Sequence, residues 1–478
     1  MKPLYKNYSL LLNDLKSKKI TLPELVDYYI HRIEATQNHR IYIEVFSQEA
    51  RERAELLQKK FENSPESCGK LWGMVISIKD VICYKGHEVS AASKILMGFT
   101  SLYSATALER ILEEDGIIIG RTNCDEFAMG SASENSFFGP VKNGLDPERV
   151  PGGSSGGSAV SVQMDTCMTS LGSDTGGSVR QPAAFCGIVG IKPSYGRISR
   201  HGLIAYGSSF DQIGVFSHNV EDAGLVLEII SGPDDFDATA IQSKLEKQSL
   251  NFPLKIAYYK PAIHHPRLEN QTKTAFLSAL EKMEKYEIES HAIDFDLLDL
   301  MVPAYYVLTA AEASSNLSRY DGIRFGYRSP QAKTLDETYK FSRTEGFGRE
   351  VKKRIMLGSF VLSAGYFDDY FEKAQNIRQQ IKVATENILK EYDFILMPTT
   401  PGPAWKIGEK TKDPIENYLA DIFTVQANLA EIPAISIPMG KTMEGLPLGL
   451  QVMGAKFEED KMLKFAAFLE KNLLQTSH

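Results

Sequence analysis

The sequence predicts an α/β fold, and three stretches predict it. Trp72 to Asp80 (Trp-Gly-Met-Val-Ile-Ser-Ile-Lys-Asp) is an apolar, β-branched run, a buried strand with Lys79 at its C-terminal end. Thr106 to Glu114 has helical spacing, and Gly116 leads from it into an apolar strand, Ile117 to Ile119. A short helix, Ala159 to Met164, and a short strand, Thr166 to Leu171, lie between two clusters of glycine and serine. Strands alternating with helices in this way make a sheet covered by helices.

Taken in order, the chain begins with helical scaffold. Leu22, Leu25, Val26, Tyr29, Ile30 and Ile33 follow helical spacing, with a capping box at Thr21 and Glu24 and Pro23 in the first turn. A second helix is expected over Gln48 to Glu62, joined by the polar stretch Asn63 to Lys70 to the strand carrying Lys79. Beyond the Ile117 strand, residues 120 to 130 form a polar loop in which Asn123, Asp125 and Glu126 read as turn and capping residues. Asn219 to Ile230 is an amphipathic helix ended near Gly232, and Ser231 to Lys247 is a polar surface excursion. Asp393 to Pro398, Pro433 to Pro438 and Leu448 to Met453 read as late strands and Glu458 to Leu474 as a closing helix, with Thr476 to His478 frayed.

The two glycine-serine clusters carry the chemistry. They are Gly152-Gly153-Ser154-Ser155-Gly156-Gly157-Ser158 and Gly172-Ser173-Asp174-Thr175-Gly176-Gly177-Ser178. Turns of this composition let backbone N–H groups converge on an anion or a developing oxyanion. A serine nucleophile needs a base, and no histidine lies in either cluster. Lys79 at a buried strand end answers the need, because desolvation disfavours an ammonium and a neutral amine accepts protons. Gly152 to Gly156 also satisfies G-x-S-x-G, but the preceding Gly144 to Pro151 is polar and proline-broken, unlike the strand of a nucleophile elbow. Neither cluster is followed by the Gly-Lys-Ser/Thr of a phosphate loop.

Lys79, the segment Pro151 to Ala159 and the segment Gly172 to Ala183 together resemble the amidase signature family. The resemblance implies one domain over residues 1–478, with a central mixed β-sheet covered by helices on both faces. Residues 1–70 would be a helical region, 71–232 the signature core, and 233–478 the part that completes the sheet and the substrate pocket. It implies a Ser-cisSer-Lys triad: Ser178 as nucleophile, Ser154 as bridging serine after a cis peptide, Lys79 as base. The backbone N–H groups of Thr175, Gly176, Gly177 and Ser178 would form the oxyanion hole, and Met129 and Gly130 would touch substrate.

Glu312 to Arg328, Ser342 to Gly348 with Arg354 to Gly358, and Asp421 to Asn428 are similar to the glutamine-hydrolysing members that serve tRNA-dependent amidation. Glutamine carries an α-carboxylate and an α-ammonium, so its pocket needs a cation and an anion at fixed distance from the nucleophile. The resemblance offers Arg354 for the first, Asp421 for the second and Tyr305 as a further contact. It also implies a B subunit that uses ATP and Mg²⁺ to activate glutamate on tRNA(Gln) and receives the ammonia, and a small C subunit. No cofactor or metal would belong to this chain.

Two other readings use the same residues differently. A stand-alone amidase acting on small or aryl amides would not need Arg354 and Asp421 as a charged pair, and an inert scaffold would not need Lys79, Ser154 and Ser178 together. The net charge of −8 argues against a broad nucleic-acid surface on this chain. The five cysteines form no C-x-x-C pair and read as free thiols of a reducing compartment. With no signal segment and no long apolar run, the chain is expected to be soluble and cytoplasmic.

Overall fold

A computed structural model describes residues 5–242, 245–409 and 419–473. Its strands are β1 (Tyr42–Val45), β2 (Val75–Lys79), β3 (Ile117–Thr122), β4 (Thr169–Asp174), β5 (Val189–Lys192), β6 (Gln212–Ser217), β7 (Leu254–Tyr259), β8 (Ile288–Ile293), β9 (Phe394–Pro398), β10 (Ala434–Lys441) and β11 (Pro447–Met453). All lie in one 11-stranded sheet, ordered β1-β3-β2-β4-β6-β5-β10-β11-β9-β7-β8. The sheet is mixed: β3, β2 and β4 run parallel, as do β9, β7 and β8, with antiparallel pairs between.

Every residue of β2 is buried, which is why it reads as a continuous apolar run rather than an alternating one. Parallel pairing of Ile78 with Leu171 brings the C-terminal ends of β2 and β4 to one edge, and Lys79 is the last residue of β2. The loop after β4 turns there into the helix Arg180–Cys186.

That helix sits tightly on the sheet for a reason visible in three strand glycines. A Cβ at Gly190 would lie 2.6 Å from Ala183 Cβ, one at Gly214 3.0 Å from a Val179 methyl, and one at Gly449 2.5 Å from Ala184 Cβ. Glycine on β5, β6 and β11 thus clears a single footprint for the helix. The helices Val220–Ile230 and Glu459–Asn472 pack against each other and against β5, β6 and β10, covering the other side.

The helix between the two clusters, Gly156–Gln163, starts three residues before the expected Ala159, inside the glycine cluster. Packing overrides propensity: a Cβ at Gly157 would meet the Asn123 carbonyl oxygen at 2.3 Å, so only glycine allows this approach. Likewise β4 runs to Asp174 rather than stopping at Leu171, because Gly172, Ser173 and Asp174 pair with Gly214, Ile213 and Gln212. The Thr21–Glu24 capping box is present in both directions. Among the described residues no helix is long and apolar enough to cross a membrane. Thr476 to His478 lie outside the described residues.

Candidate active site

The ends of β2 and β4 meet over Lys79. Its side chain is fully buried, and Nζ lies 2.7 Å from Ser154 Oγ and 2.9 Å from both Ser155 Oγ and Ser173 Oγ. Burial lowers the amine to about 8, against the opposing pull of Asp125, Asp174 and Asp211 nearby. About a tenth of such amines are neutral at pH 7. Ser155 donates its one proton to the Ser173 carbonyl at 3.0 Å, which leaves Ser154 as the better placed proton carrier of that pair.

The Ser154 loop is held from outside. The Gly153–Ser154 peptide is cis, and the Ser154 carbonyl accepts the Asp125 N–H at 3.1 Å. The Asp125 carboxylate, raised by burial, accepts the N–H groups of Ser133 at 2.8 Å and Asn135 at 3.1 Å. A Cβ at Gly153 would meet that carboxylate at 2.3 Å, so the loop lies flat on it. Asp125 does organise its own loop, as read from sequence, but it also braces the serine beside it.

Ser178 is 9% exposed, the most open of the three expected catalytic residues. Its carbonyl accepts the Ser155 N–H at 3.3 Å, which sets the two serine loops side by side. Gly177 has φ +132°, where a side chain is strained, and a Cβ there would lie 2.3 Å from Thr424 Oγ1. Asp174 shapes this turn: its oxygens accept the N–H groups of Gly177 at 2.9 Å and Val179 at 3.1 Å. Of the four expected oxyanion donors, Gly177 is therefore committed to a carboxylate inside the protein, which leaves Thr175, Gly176 and Ser178. Burial alone would raise the Asp174 carboxyl, but the Arg180 guanidinium, 2.9 Å and 3.1 Å away, outweighs it and holds the group well below the usual carboxylate range.

The expected substrate residues converge on the same place. Asp421 is 6% exposed and accepts the hydroxyls of Ser131 at 2.7 Å and Tyr306 at 3.0 Å. Gln181 ties it to the Ser154 loop, with Nε2 3.4 Å from Asp421 and Oε1 accepting the Gly153 N–H at 3.0 Å. Thr424 ties it to the Ser178 loop, donating 2.7 Å to the Gly176 carbonyl. Burial raises the Asp421 carboxyl to about 7, against the hydrogen bonds from Ser131 and Tyr306 and the charge of Arg354.

Arg354 is 5% exposed, with Nε 3.0 Å from Glu350 and Nη1 donating to the Tyr206 hydroxyl. Its guanidinium carbon lies 5.0 Å from the centre of the Tyr306 ring. Tyr306 therefore touches both charged groups, through its face to the cation and through its hydroxyl to the carboxylate. Tyr305 lies on the Ser178 loop instead: a Cβ at Gly176 would be 2.4 Å from its ring. Of the two contacts expected in the 120–130 loop, the Met129 side chain is fully buried in the main core, whereas Gly130 leads directly to Ser131. Glu126 reaches the Arg354 helix, accepting the N–H of Gly348 at 2.9 Å and 3.0 Å just before Arg349–Val361 begins.

Tyr306, Ser131, Gln181 and Thr424 escape a reading by sequence, since each acts through a partner distant along the chain. The adjacent tyrosines at 305 and 306 are the only sign of it, and sequence does not tell them apart. Among the described residues no group of three or more histidine, cysteine, aspartate or glutamate side chains is placed to hold a metal ion.

The profile of the family described as Amidase matches residues 24–463. The chain is 48% identical over 99% of its length to the A subunit of the glutamyl-tRNA(Gln) amidotransferase of Chlorobaculum parvum, and covers 99% of that protein. It is 47% identical to the protein of the same name from Prosthecochloris aestuarii, over 96% of this chain and 97% of that one. The crystal structure of the corresponding A subunit from Thermotoga maritima superposes with a TM-score of 0.74 at 39% identity, covering 88% of this chain and 92% of that one.

Proposed function

The chain belongs to the amidase family, and from that premise we propose that it is the glutamine-hydrolysing subunit of a tRNA-dependent amidotransferase. The observation that carries the reading is the buried pair Arg354 and Asp421, spanned by Tyr306 and tied through Gln181 and Thr424 to both serine loops. Arg354 keeps its contacts with Glu350 and Tyr206, and Asp421 its hydroxyl donors Ser131 and Tyr306, so the two groups present fixed charges of opposite sign within one pocket. The α-carboxylate and α-ammonium of a free amino acid match that pair of charges, and its side-chain amide then reaches towards Ser178.

On this reading neutral Lys79 takes the proton of Ser154 as Ser154 takes that of Ser178. The freed Ser178 Oγ attacks the δ-carbonyl carbon of glutamine, and the oxyanion faces the N–H groups of Thr175, Gly176 and Ser178. The C–N bond breaks as the leaving nitrogen collects a proton back through the relay, releasing ammonia. Water then adds to the glutamyl ester of Ser178, and glutamate departs. The Lys79–Ser154 contact, with the Ser178 carbonyl accepting the N–H of the neighbouring Ser155, also speaks against an inert scaffold.

The setting that goes with this reading is a complex. In it, ammonia passes to a B subunit that activates glutamate on tRNA(Gln) with ATP and Mg²⁺, a small C subunit supports the pair, and the assembly works in the cytoplasm. This chain contributes no cofactor to the reaction. Arg354→Ala and Asp421→Ala should each raise the KM for glutamine at least roughly tenfold, the value of one lost charge-assisted hydrogen bond. Unchanged glutamine kinetics in both would return the chain to the stand-alone amidases of small or aryl amides.

A further inference from the structure

Asp211 lies just before β6, where antiparallel pairing of Gln212 with Asp174 brings it to the start of the Ser178 loop. It is 3% exposed. Its Oδ1 accepts the Thr175 hydroxyl at 2.7 Å and the Gly207 N–H at 3.1 Å, and its Oδ2 accepts the Tyr206 N–H at 2.9 Å. Tyr206 reaches the other way. Its hydroxyl accepts an N–H of Arg354 and donates to Thr309 at 3.0 Å. One buried carboxylate thus holds the first residue of the oxyanion loop and the residue that receives Arg354.

These three partners of Asp211 are neutral donors, so the charge is kept at a cost: burial pushes the carboxyl up to about 6 against the bonds from Thr175, Gly207 and Tyr206. An asparagine would be cheaper to bury but could not replace it. Thr175 and Tyr206 both donate, to different oxygens, and an amide offers one accepting atom while its nitrogen only donates. Only a carboxylate serves both ends.

We propose that Asp211 is a positioning residue that fixes the distance between the Arg354 end of the pocket and the oxyanion loop, so that α-carboxylate recognition and carbonyl activation act on one substrate at once. The proposal rests on the reading of Arg354 as the partner of the substrate carboxylate. Thr175→Val cuts the strap at the loop while keeping the side-chain shape, and Tyr206→Phe cuts it at Arg354.

The test uses two readouts on the assembled complex: steady-state glutamine hydrolysis, and the rate at which a fluorophosphonate labels Ser178. The second probe has no α-carboxylate and reports the loop alone. Thr175→Val should slow labelling and lower kcat with KM little changed, and Tyr206→Phe should raise KM with labelling little changed. Asp211→Asn should do both, each by roughly tenfold or more. Adding Thr175→Val to Asp211→Asn should cost far less than the product of the two. Asp211→Asn that lowers the melting temperature yet leaves labelling and glutamine kcat/KM within about twofold would overturn the proposal, as would effects of Asp211→Asn and Thr175→Val that simply multiply. Should Asp211→Asn not fold, the two single variants decide: each moving its own readout supports the strap, and Thr175→Val that leaves labelling within about twofold or Tyr206→Phe that leaves KM within about twofold overturns it. If Arg354→Ala leaves KM unchanged, the pocket reading fails, while labelling still tests the link between Asp211 and the loop.

Discussion

Replacing Tyr306 by phenylalanine keeps the ring under Arg354 and removes only the hydroxyl that donates to Asp421 at 3.0 Å. A hydrogen bond to a charged group contributes about 1.5–3 kcal/mol, and a neutral carboxyl keeps part of it. The net loss to the ionised form is therefore about 1.4 kcal/mol, one pKa unit. Asp421 starts at about 7, held there by burial against its donors, so the variant moves it up to roughly 8. In the proposed pocket the substrate ammonium pairs with the ionised carboxylate, so glutamine affinity should rise with pH through this pKa and the variant should lag behind. The ratio of KM values, variant to wild type, should be about 9 at pH 6, about 5.5 at pH 7 and about 1.3 at pH 8.5. Ammonia release by the assembled complex, measured against glutamine concentration across that range, reads it directly. A ratio that stays constant with pH would refute the reasoning, because it would mean that the hydroxyl does not act through the ionisation of Asp421.

Further outcomes follow from the site and from the sheet beneath it. Lys79→Ala should lower kcat by about 10²- to 10⁴-fold with little change in KM, and wild-type kcat should climb with pH up to the lysine value of about 8, where burial has placed it. Asp174→Ala leaves Arg180 buried without its carboxylate and should cost about 3–5 kcal/mol in urea unfolding; a loss below about 1 kcal/mol would show that the pair is not structural. Gly190→Ala puts a Cβ 2.6 Å from Ala183 Cβ and 2.8 Å from the Val179 carbonyl, and should destabilise the fold by about 1–3 kcal/mol, read as a lower melting temperature.

What the sequence reveals and what it hides divide along physical lines. Lys79 is legible because β2 is buried on both faces and so written almost wholly in apolar residues, which makes a lysine at its end conspicuous. The serine loops are legible because positive φ and close backbone contacts demand glycine locally. β6 is hidden because its sequence, Gln-Ile-Gly-Val-Phe-Ser, is short and interrupted by Gly214, whose reason is a helix over the sheet rather than a turn. β1 is hidden as well, a four-residue edge strand with every residue half-buried. Asp421 and Arg354 could be named only through resemblance, since nothing near either residue in sequence marks a pocket. Their connection through Tyr306 could not be named at all, because Tyr306 and Asp421 stand 115 positions apart.

Ammonia release from glutamine by this chain co-expressed with candidate B and C subunits, with and without glutamyl-tRNA(Gln) and ATP, tests the central claim most directly. The account predicts release that rises when tRNA and ATP are present and disappears in Ser178→Ala. An assembled complex that hydrolyses simple amides but leaves glutamine untouched, or release that persists in Ser178→Ala, would contradict it.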